Sequence, residues 1–138
     1  MEMKSLKSRR KGLATVEMAI VLPLLLMLVL GVIHYGWLFL KMQQITNAAR
    51  SGARVAIRAN VTDPAEVQAA VTSALANAGI GAVVVPVITP GIDIGTGEEL
   101  TVKLTVPKTT PGISLINATF LPTPANLVAS VTMAKEGP

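Results

Sequence analysis

The side chains with the most informative chemistry lie at the start of a long apolar run. Glu17 is the only charged residue between Leu13 and Leu40, and it follows Gly12 by five positions. A carboxylate just inside an apolar segment is costly, so it needs a physical explanation. Either Glu17 lies near the membrane interface, where the cost is modest, or a nearby positive charge neutralises it. Cleavage after Gly12 would supply that charge, because the new amino group of Leu13 would lie four residues before the carboxylate.

Residue types that carry catalysis are scarce in this chain. It contains no cysteine and one histidine, and no spacing typical of a metalloprotease, a nucleophile elbow or a P-loop. We interpret His34, near the end of the apolar run, as an interfacial side chain. Asp93, Glu98 and Glu99 crowd a glycine-rich turn, but they lack EF-hand spacing, which favours a solvated hairpin tip. We therefore expect no enzyme activity, no catalytic residue, no metal site, no cofactor and no small-molecule substrate.

The net charge of +4 is concentrated at the amino terminus. Residues 1–12 hold five basic residues and one acidic residue (5 − 1 = +4), whereas residues 13–138 hold seven of each. A basic head in front of an apolar run is a targeting pattern, and it argues against a nucleic-acid partner. By the positive-inside rule, the amino terminus is expected in the cytoplasm and the rest of the chain outside it.

The apolar run is long enough to cross a bilayer. Met18–Leu40 comprises 23 residues, which as a helix would extend about 34 Å, against a hydrocarbon core of roughly 30 Å. Tyr35 and Trp37 lie where an interfacial aromatic belt is expected, and Lys41 should mark the exit into water. Pro23 removes one backbone hydrogen bond and favours a kink. That kink is either harmless or a site of local melting used in assembly with other helices.

The helical pattern continues beyond the membrane. Small and apolar residues recur at helical spacing and form one stripe, made of Ile45, Ala49, Gly52, Ala53 and Ala56. We therefore predict a single helix from about Leu13 to Ala59, half of it in the membrane and half projecting from it.

Three arginines form a second stripe on the projecting part of this helix. Arg50, Arg54 and Arg58 are spaced i, i+4 and i+8, which places them on one side. Three interpretations remain open: a solvated face, pairing with carboxylates such as Asp63 or Glu66, or contact with a protein partner or lipid headgroups.

The rest of the chain predicts a second helix and a small sheet. The second helix is predicted over Asp63–Ala78. Asp63 has the position of its N-cap, Pro64 occupies its first helical position, and Gly79 ends it. Three segments have strand patterns, namely Ala82–Thr89, Leu100–Val106 and Leu127–Met133, and the glycine-rich residues 91–97 join the first two as a hairpin. The connection over residues 107–124 should be irregular, with one short element at 113–118.

These elements predict a membrane-anchored α+β fold. It would combine a long amino-terminal helix, a second short helix and an antiparallel sheet of three to four strands. Apolar and polar residues alternate along the strands, which is typical of a sheet covered on one face only. We expect the second helix and the projecting half of the first helix to cover that face. The expected organisation is a basic leader over 1–12, a transmembrane helix over 13–40, its extracytoplasmic continuation over 41–59, and a small extracytoplasmic α+β domain over 60–138.

Two sequence segments carry a resemblance to a known family: GLATVEMAIVLPLLLMLVLGVIHYG, which begins at Gly12, and NAARSGARVA, which begins at Asn47. Gly12 followed by Glu17 at the junction of leader and apolar helix resembles the processing site of type IV prepilins. Together the segments resemble the TadE-like family of minor pseudopilins of the tight adherence (Tad, Flp-type) pilus, over residues 8–58. TadF-like and TadG-like relatives have similar anchors. Met18 departs from the Tyr of Flp major pilins and from the Phe frequent in TadE-like proteins.

The resemblance implies specific partners and residue roles. A prepilin peptidase would cleave between Gly12 and Leu13, and Glu17, with the kink at Pro23, would set docking and register between pilin helices. The protein would be a pilus assembly protein of the bacterial inner membrane, with its carboxyl-terminal domain in the periplasm or carried into the pilus. Its partners would be other Tad pilins or pseudopilins, the assembly platform and the lipid bilayer. The alternative is an uncleaved, signal-anchored envelope binding protein with no pilus role.

Overall fold

The protein has the predicted α+β fold. The computed structural model describes residues 3–58, 60–81, 84–115 and 122–137, with side chains from Leu13 onward. In chain order its elements are α1 (Met3–Ala56), α2 (Pro64–Asn77), β1 (Val87–Thr89), β2 (Glu99–Pro107) and β3 (Asn126–Ala134). The chain divides into two compact units, Met1–Tyr35 and Gly36–Pro138.

The first unit consists of the apolar part of α1. The helix has 54 residues and contains Pro23 in its interior. It begins ten residues before the predicted start near Leu13, because the basic head is rich in Lys and Arg, which favour helix. Every side chain over residues 13–30 is exposed. Within the described residues, this is the one helix long and apolar enough to span a membrane, which is consistent with membrane anchoring.

The second unit is built around the projecting half of α1. The predicted small-residue stripe is confirmed, since all five of its members are buried. A Cβ added at Gly52 would lie 2.5 Å from Val71 Cγ2, 3.5 Å from Val67 Cγ1 and 3.8 Å from Val102 Cγ1. The absence of a side chain at Gly52 therefore allows α1, α2 and β2 to meet at one point.

The helix α1 ends at Ala56, three residues before the predicted end. The amide of Ile57 still bonds to the carbonyl of Ala53 at 3.0 Å, but the amide of Arg58 bonds to Val55 at 3.2 Å. This change from i−4 to i−3 bonding tightens the last turn. The chain then leaves the helix toward α2.

Both ends of α2 follow the predicted capping chemistry. The Asp63 carboxylate accepts a hydrogen bond from the Ala65 amide at 2.9 Å. At the other end Gly79 has a φ of 66°, and the amide of Ile80 donates to the carbonyl of Leu75 at 3.0 Å. This is a Schellman arrangement, in which a left-handed glycine closes the last turn. Val67, Val71 and Leu75 form the buried side of α2.

The three strands form one antiparallel sheet in the order β1-β2-β3. The predicted alternation is confirmed in β2, where the inward residues are fully buried, namely Leu100, Val102, Leu104 and Val106. The outward face carries polar side chains, and the hydroxyls of Thr101 and Thr132 lie 2.7 Å apart. One face is therefore covered, as expected.

The first strand is shorter than predicted. It begins at Val87, directly after Pro86, because proline has no amide to donate to the ladder. Residues 82–83 lie outside the described residues. So do residues 116–121, and the short element predicted over 113–118 therefore lies partly outside; Ile113 is buried. Among the residues the structure describes there are three strands, within the predicted range of three to four.

Candidate functional site

The predicted processing residues lie inside α1. The backbone of Gly12 and Leu13 is helical, and the Leu13 side chain is 73% exposed. Cleavage at this bond stays a prediction, and it would require this turn of the helix to unwind. Glycine lowers that cost, because it destabilises a helix interior by about 1 kcal/mol relative to alanine.

Glu17 lies on the same side of α1 as Leu13, one turn later. The spacing i, i+4 brings side chains about 5–6 Å apart at Cβ. Glu17 is exposed, and its apolar neighbours Val16, Met18 and Ile20 are exposed as well. It makes no ion pair with any described side chain. The carboxylate thus lies on an uncovered apolar surface, where an amino group of this or another chain can reach it.

Pro23 lies within the same exposed surface, between Leu22 and Leu24. Because proline lacks an amide, the carbonyl one turn earlier loses its intrahelical partner. The role of Pro23 in docking stays a prediction.

The arginine stripe is exposed along its whole length. Arg50, Arg54 and Arg58 are all solvent-accessible, while the opposite side of α1 is buried. In the described parts of the chain none of the three forms an ion pair. The pairing with Asp63 or Glu66 considered above is therefore not present, and the Asp63 carboxylate instead accepts the Ala65 amide.

Lys41 does not mark an exit into water, and that prediction was wrong. Its side chain is only 5% exposed. Its ammonium nitrogen donates a hydrogen bond to the Ala78 carbonyl at 2.9 Å and lies 4.9 Å from the centre of the Trp37 ring. A cation at the carboxyl end of a helix is stabilised by the helix dipole, and a cation over an aromatic face is attracted to the ring. Lys41 therefore ties the end of α2 to α1.

Replacing Lys41 with methionine is expected to destabilise the second unit by about 1–3 kcal/mol, because a hydrogen bond from a charged donor to the end of α2 is lost. Methionine keeps the unbranched stem, so packing changes little. Calorimetric unfolding of the full chain in detergent measures the effect. Lys103→Met, at an exposed position on the sheet, is the control and should change stability by less than about 0.5 kcal/mol. Equal losses for both variants would contradict the assignment.

The two other candidate groups, His34 and the acidic turn, each contact neighbouring residues. His34, predicted to be interfacial, is only 2% exposed, and its ring meets Tyr35 edge-on with centroids 6.2 Å apart; its position at the membrane interface stays a prediction. In the acidic turn, the carboxylate of Glu98 accepts the Gly95 amide at 3.0 Å, so it stabilises its own loop. In the part of the chain that the structure describes, no group of three acidic or histidine side chains is placed to hold a metal ion.

A known protein family matches the amino-terminal part of this chain. Residues 12–54 match the family model described as TadE-like protein. The amino-terminal part of the chain therefore carries a TadE-like domain. The matched region begins at Gly12, covers the exposed apolar part of α1 and ends within the buried small-residue stripe. A TadE-like domain indicates a protein associated with Tad pilus systems. Comparisons with curated proteins and with solved structures gave no match.

Proposed function

We propose that this TadE-like protein is a minor pseudopilin that assembles or primes a Tad pilus, and that it has no enzymatic activity. It is held in the bacterial inner membrane by α1, with its amino terminus in the cytoplasm and its second unit in the periplasm. The observation that carries the proposal is the extent of the family match. The match starts at Gly12 and covers a helix whose only carboxylate, Glu17, lies on a fully exposed apolar surface.

The proposed mechanism begins with removal of residues 1–12 by a prepilin peptidase. Cleavage creates an ammonium group on Leu13, and lateral association brings that group, or the one of a neighbouring subunit, next to Glu17. Two charges that neutralise each other in a low-dielectric environment fix one register between helices, because any other register leaves both unpaired. Leucine, isoleucine and valine side chains exposed along α1 provide the remaining contacts.

The other parts of the chain fit the same role. The second unit contains a covered sheet and a helix locked at both ends, as expected for a domain that must stay folded outside the cytoplasm. The kink that Pro23 favours frees a carbonyl, which another helix can satisfy in the membrane. Nothing in this mechanism requires a cofactor, a nucleic acid or a small-molecule substrate.

An in-frame deletion of the gene in its own host tests the proposal. Electron microscopy should show loss of Tad pili in the deletion strain and recovery when the full chain is supplied in trans. The alternative function, an uncleaved envelope binding protein, predicts normal pili in the deletion strain. That result would contradict the proposed function.

A further inference from the structure

One side of the projecting half of α1 is left uncovered by the rest of the second unit. Four polar residues follow each other along it at spacings of three and four, and Arg58 lies two residues beyond the end of the helix at Ala56; all five are exposed: Gln43, Asn47, Arg50, Arg54 and Arg58. The opposite side is buried against α2 and the sheet through the small-residue stripe. The helix therefore presents a polar, basic face outward while its apolar face is already used.

In the part of the chain that the structure describes, the guanidinium groups of the three arginines have no carboxylate partner. Arg50 and Arg54 lie one helical turn apart on α1, about 6 Å at 1.5 Å per residue, and Arg58 follows in the turn after the helix. Guanidinium groups bind carboxylates through two parallel hydrogen bonds, which gives both strength and orientation. Arginines at this spacing are matched by carboxylates at one-turn spacing on a facing helix.

Lipid headgroups are too far away to be the partner of the whole stripe. Counted from Leu40, the end of the predicted membrane span, Arg54 lies about 21 Å along the helix, and Arg58 lies beyond the end of the helix. Even at a tilt of 40°, the upper end of the range for membrane helices, Arg54 stays about 16 Å from that level. Charges separated by more than a Debye length of about 8–10 Å are largely screened.

A second copy of this chain does not offer a matching helix either. Over the described helices, α1 contains one carboxylate, Glu17, and α2 contains one, Glu66. Neither helix therefore carries an acidic line that could pair with three arginines. An acidic helix that pairs with the arginines therefore belongs to a different protein.

We infer that Arg50, Arg54 and Arg58 form a docking surface for an acidic helix of another subunit of the same pilus system. The inference rests on the proposed function, because that function brings pilin helices side by side. The partner helix carries carboxylates at spacings of three or four residues along one side. Apolar contacts along α1 hold pilin helices together in general, and the arginine stripe determines which subunit binds.

Pairwise co-purification tests the inference with the full chain as it exists. The chain is co-expressed with each Tad pilin or pseudopilin encoded with it, and each complex is isolated in detergent at low and at high salt. One subunit should co-purify in a salt-sensitive manner, and R50E/R54E/R58E should reduce its recovery at least tenfold. Changing a line of carboxylates to lysine on that subunit's helix should restore the recovery.

Matched controls separate docking from folding and from general charge effects. R54E and K103E make the same charge change at two exposed positions, and only R54E should lower recovery. An unchanged calorimetric midpoint shows that R50E/R54E/R58E is folded. Unaltered recovery of every subunit would overturn the inference. So would an effect confined to binding of vesicles containing anionic phosphatidylglycerol, or to self-association of this chain.

The experiment also distinguishes failure of this inference from failure of the proposed function. If the deletion strain lacks pili but the reversed stripe leaves every interaction intact, the docking surface is wrong and the pilus role stands. If the deletion strain has normal pili, the proposed function itself is wrong.

Discussion

Cells that carry Glu17→Gln are expected to lose their Tad pili while keeping normal amounts of the protein in the membrane. The amide has nearly the size of the carboxylate but no charge, so the ammonium of Leu13 on the same or a neighbouring helix loses its partner. Removing one member of a buried charge pair costs about 3–5 kcal/mol. At about 1.4 kcal/mol per tenfold, this weakens helix association more than about 100-fold.

Glu66→Gln is the matched control for this variant. Glu66 lies in the first turn of α2 and is exposed, so its charge is solvated and its loss should leave pilus assembly unchanged. Pilus counts by electron microscopy, with an immunoblot of the membrane fraction, compare the two strains. Wild-type pilus numbers in Glu17→Gln cells would show that the carboxylate does not act in docking.

Gly52→Leu is expected to destabilise the second unit by about 3 kcal/mol, the upper end of the usual range for overpacking. Even the first carbon of a side chain at this position would lie 2.5 Å from Val71 Cγ2, and leucine adds three more carbons in the same confined space. Overpacking of a core costs about 1–3 kcal/mol, occasionally more, and the small gain in helix propensity over glycine does not offset it. Val71 cannot easily turn away, because a β-branched side chain in a helix has one strongly preferred rotamer.

The same helix provides the control for Gly52. A Cβ at Gly36 would meet no atom within 4 Å, so Gly36→Leu tests the loss of a helical glycine without the steric conflict. Calorimetric unfolding of the full chain in detergent should show a large loss of stability for Gly52→Leu and little change for Gly36→Leu. Similar midpoints for the two variants would mean that α1 and α2 are not in close contact at Gly52.

Much of the second unit could be predicted because its determinants are local. Ile45, Gly52 and Ala56 recur at the helical period, so their burial follows from periodicity alone. Asp63 precedes a proline at the first helical position, and its carboxylate has a backbone amide within two residues. The alternation in β2 likewise needs no distant information, since residue type and position in the strand determine which face is covered.

The features that were missed depend on distant parts of the chain. Lys41 follows an apolar run, which predicts exposure, but its hydrogen-bond acceptor is the carbonyl of Ala78 at the end of another helix. Its spacing of four from Trp37 was the one local signal of burial under an aromatic ring. The length of β1 was overestimated because Pro86 was treated as compatible with an edge strand rather than as its boundary.

In the candidate site, too, some features could be predicted from nearby residues and others depend on distant parts of the chain. The two segments that begin at Gly12 and at Asn47 were together sufficient to indicate the family, and the family match begins at that glycine. The exposure of Arg54 follows from its position opposite the small-residue stripe. Its lack of a carboxylate partner does not, because this depends on where carboxylates elsewhere in the chain, such as Asp63, lie in the fold.

The amino terminus of the mature protein tests the central claim most directly. Intact-mass spectrometry of the chain, purified from the membranes of its own host, is compared between wild-type cells and cells lacking the prepilin peptidase. The proposed function predicts a chain that begins at Leu13 in wild-type cells and retains residues 1–12 when the peptidase is absent. A chain that keeps residues 1–12 in wild-type cells would contradict a processed pseudopilin and favour a permanently anchored envelope protein.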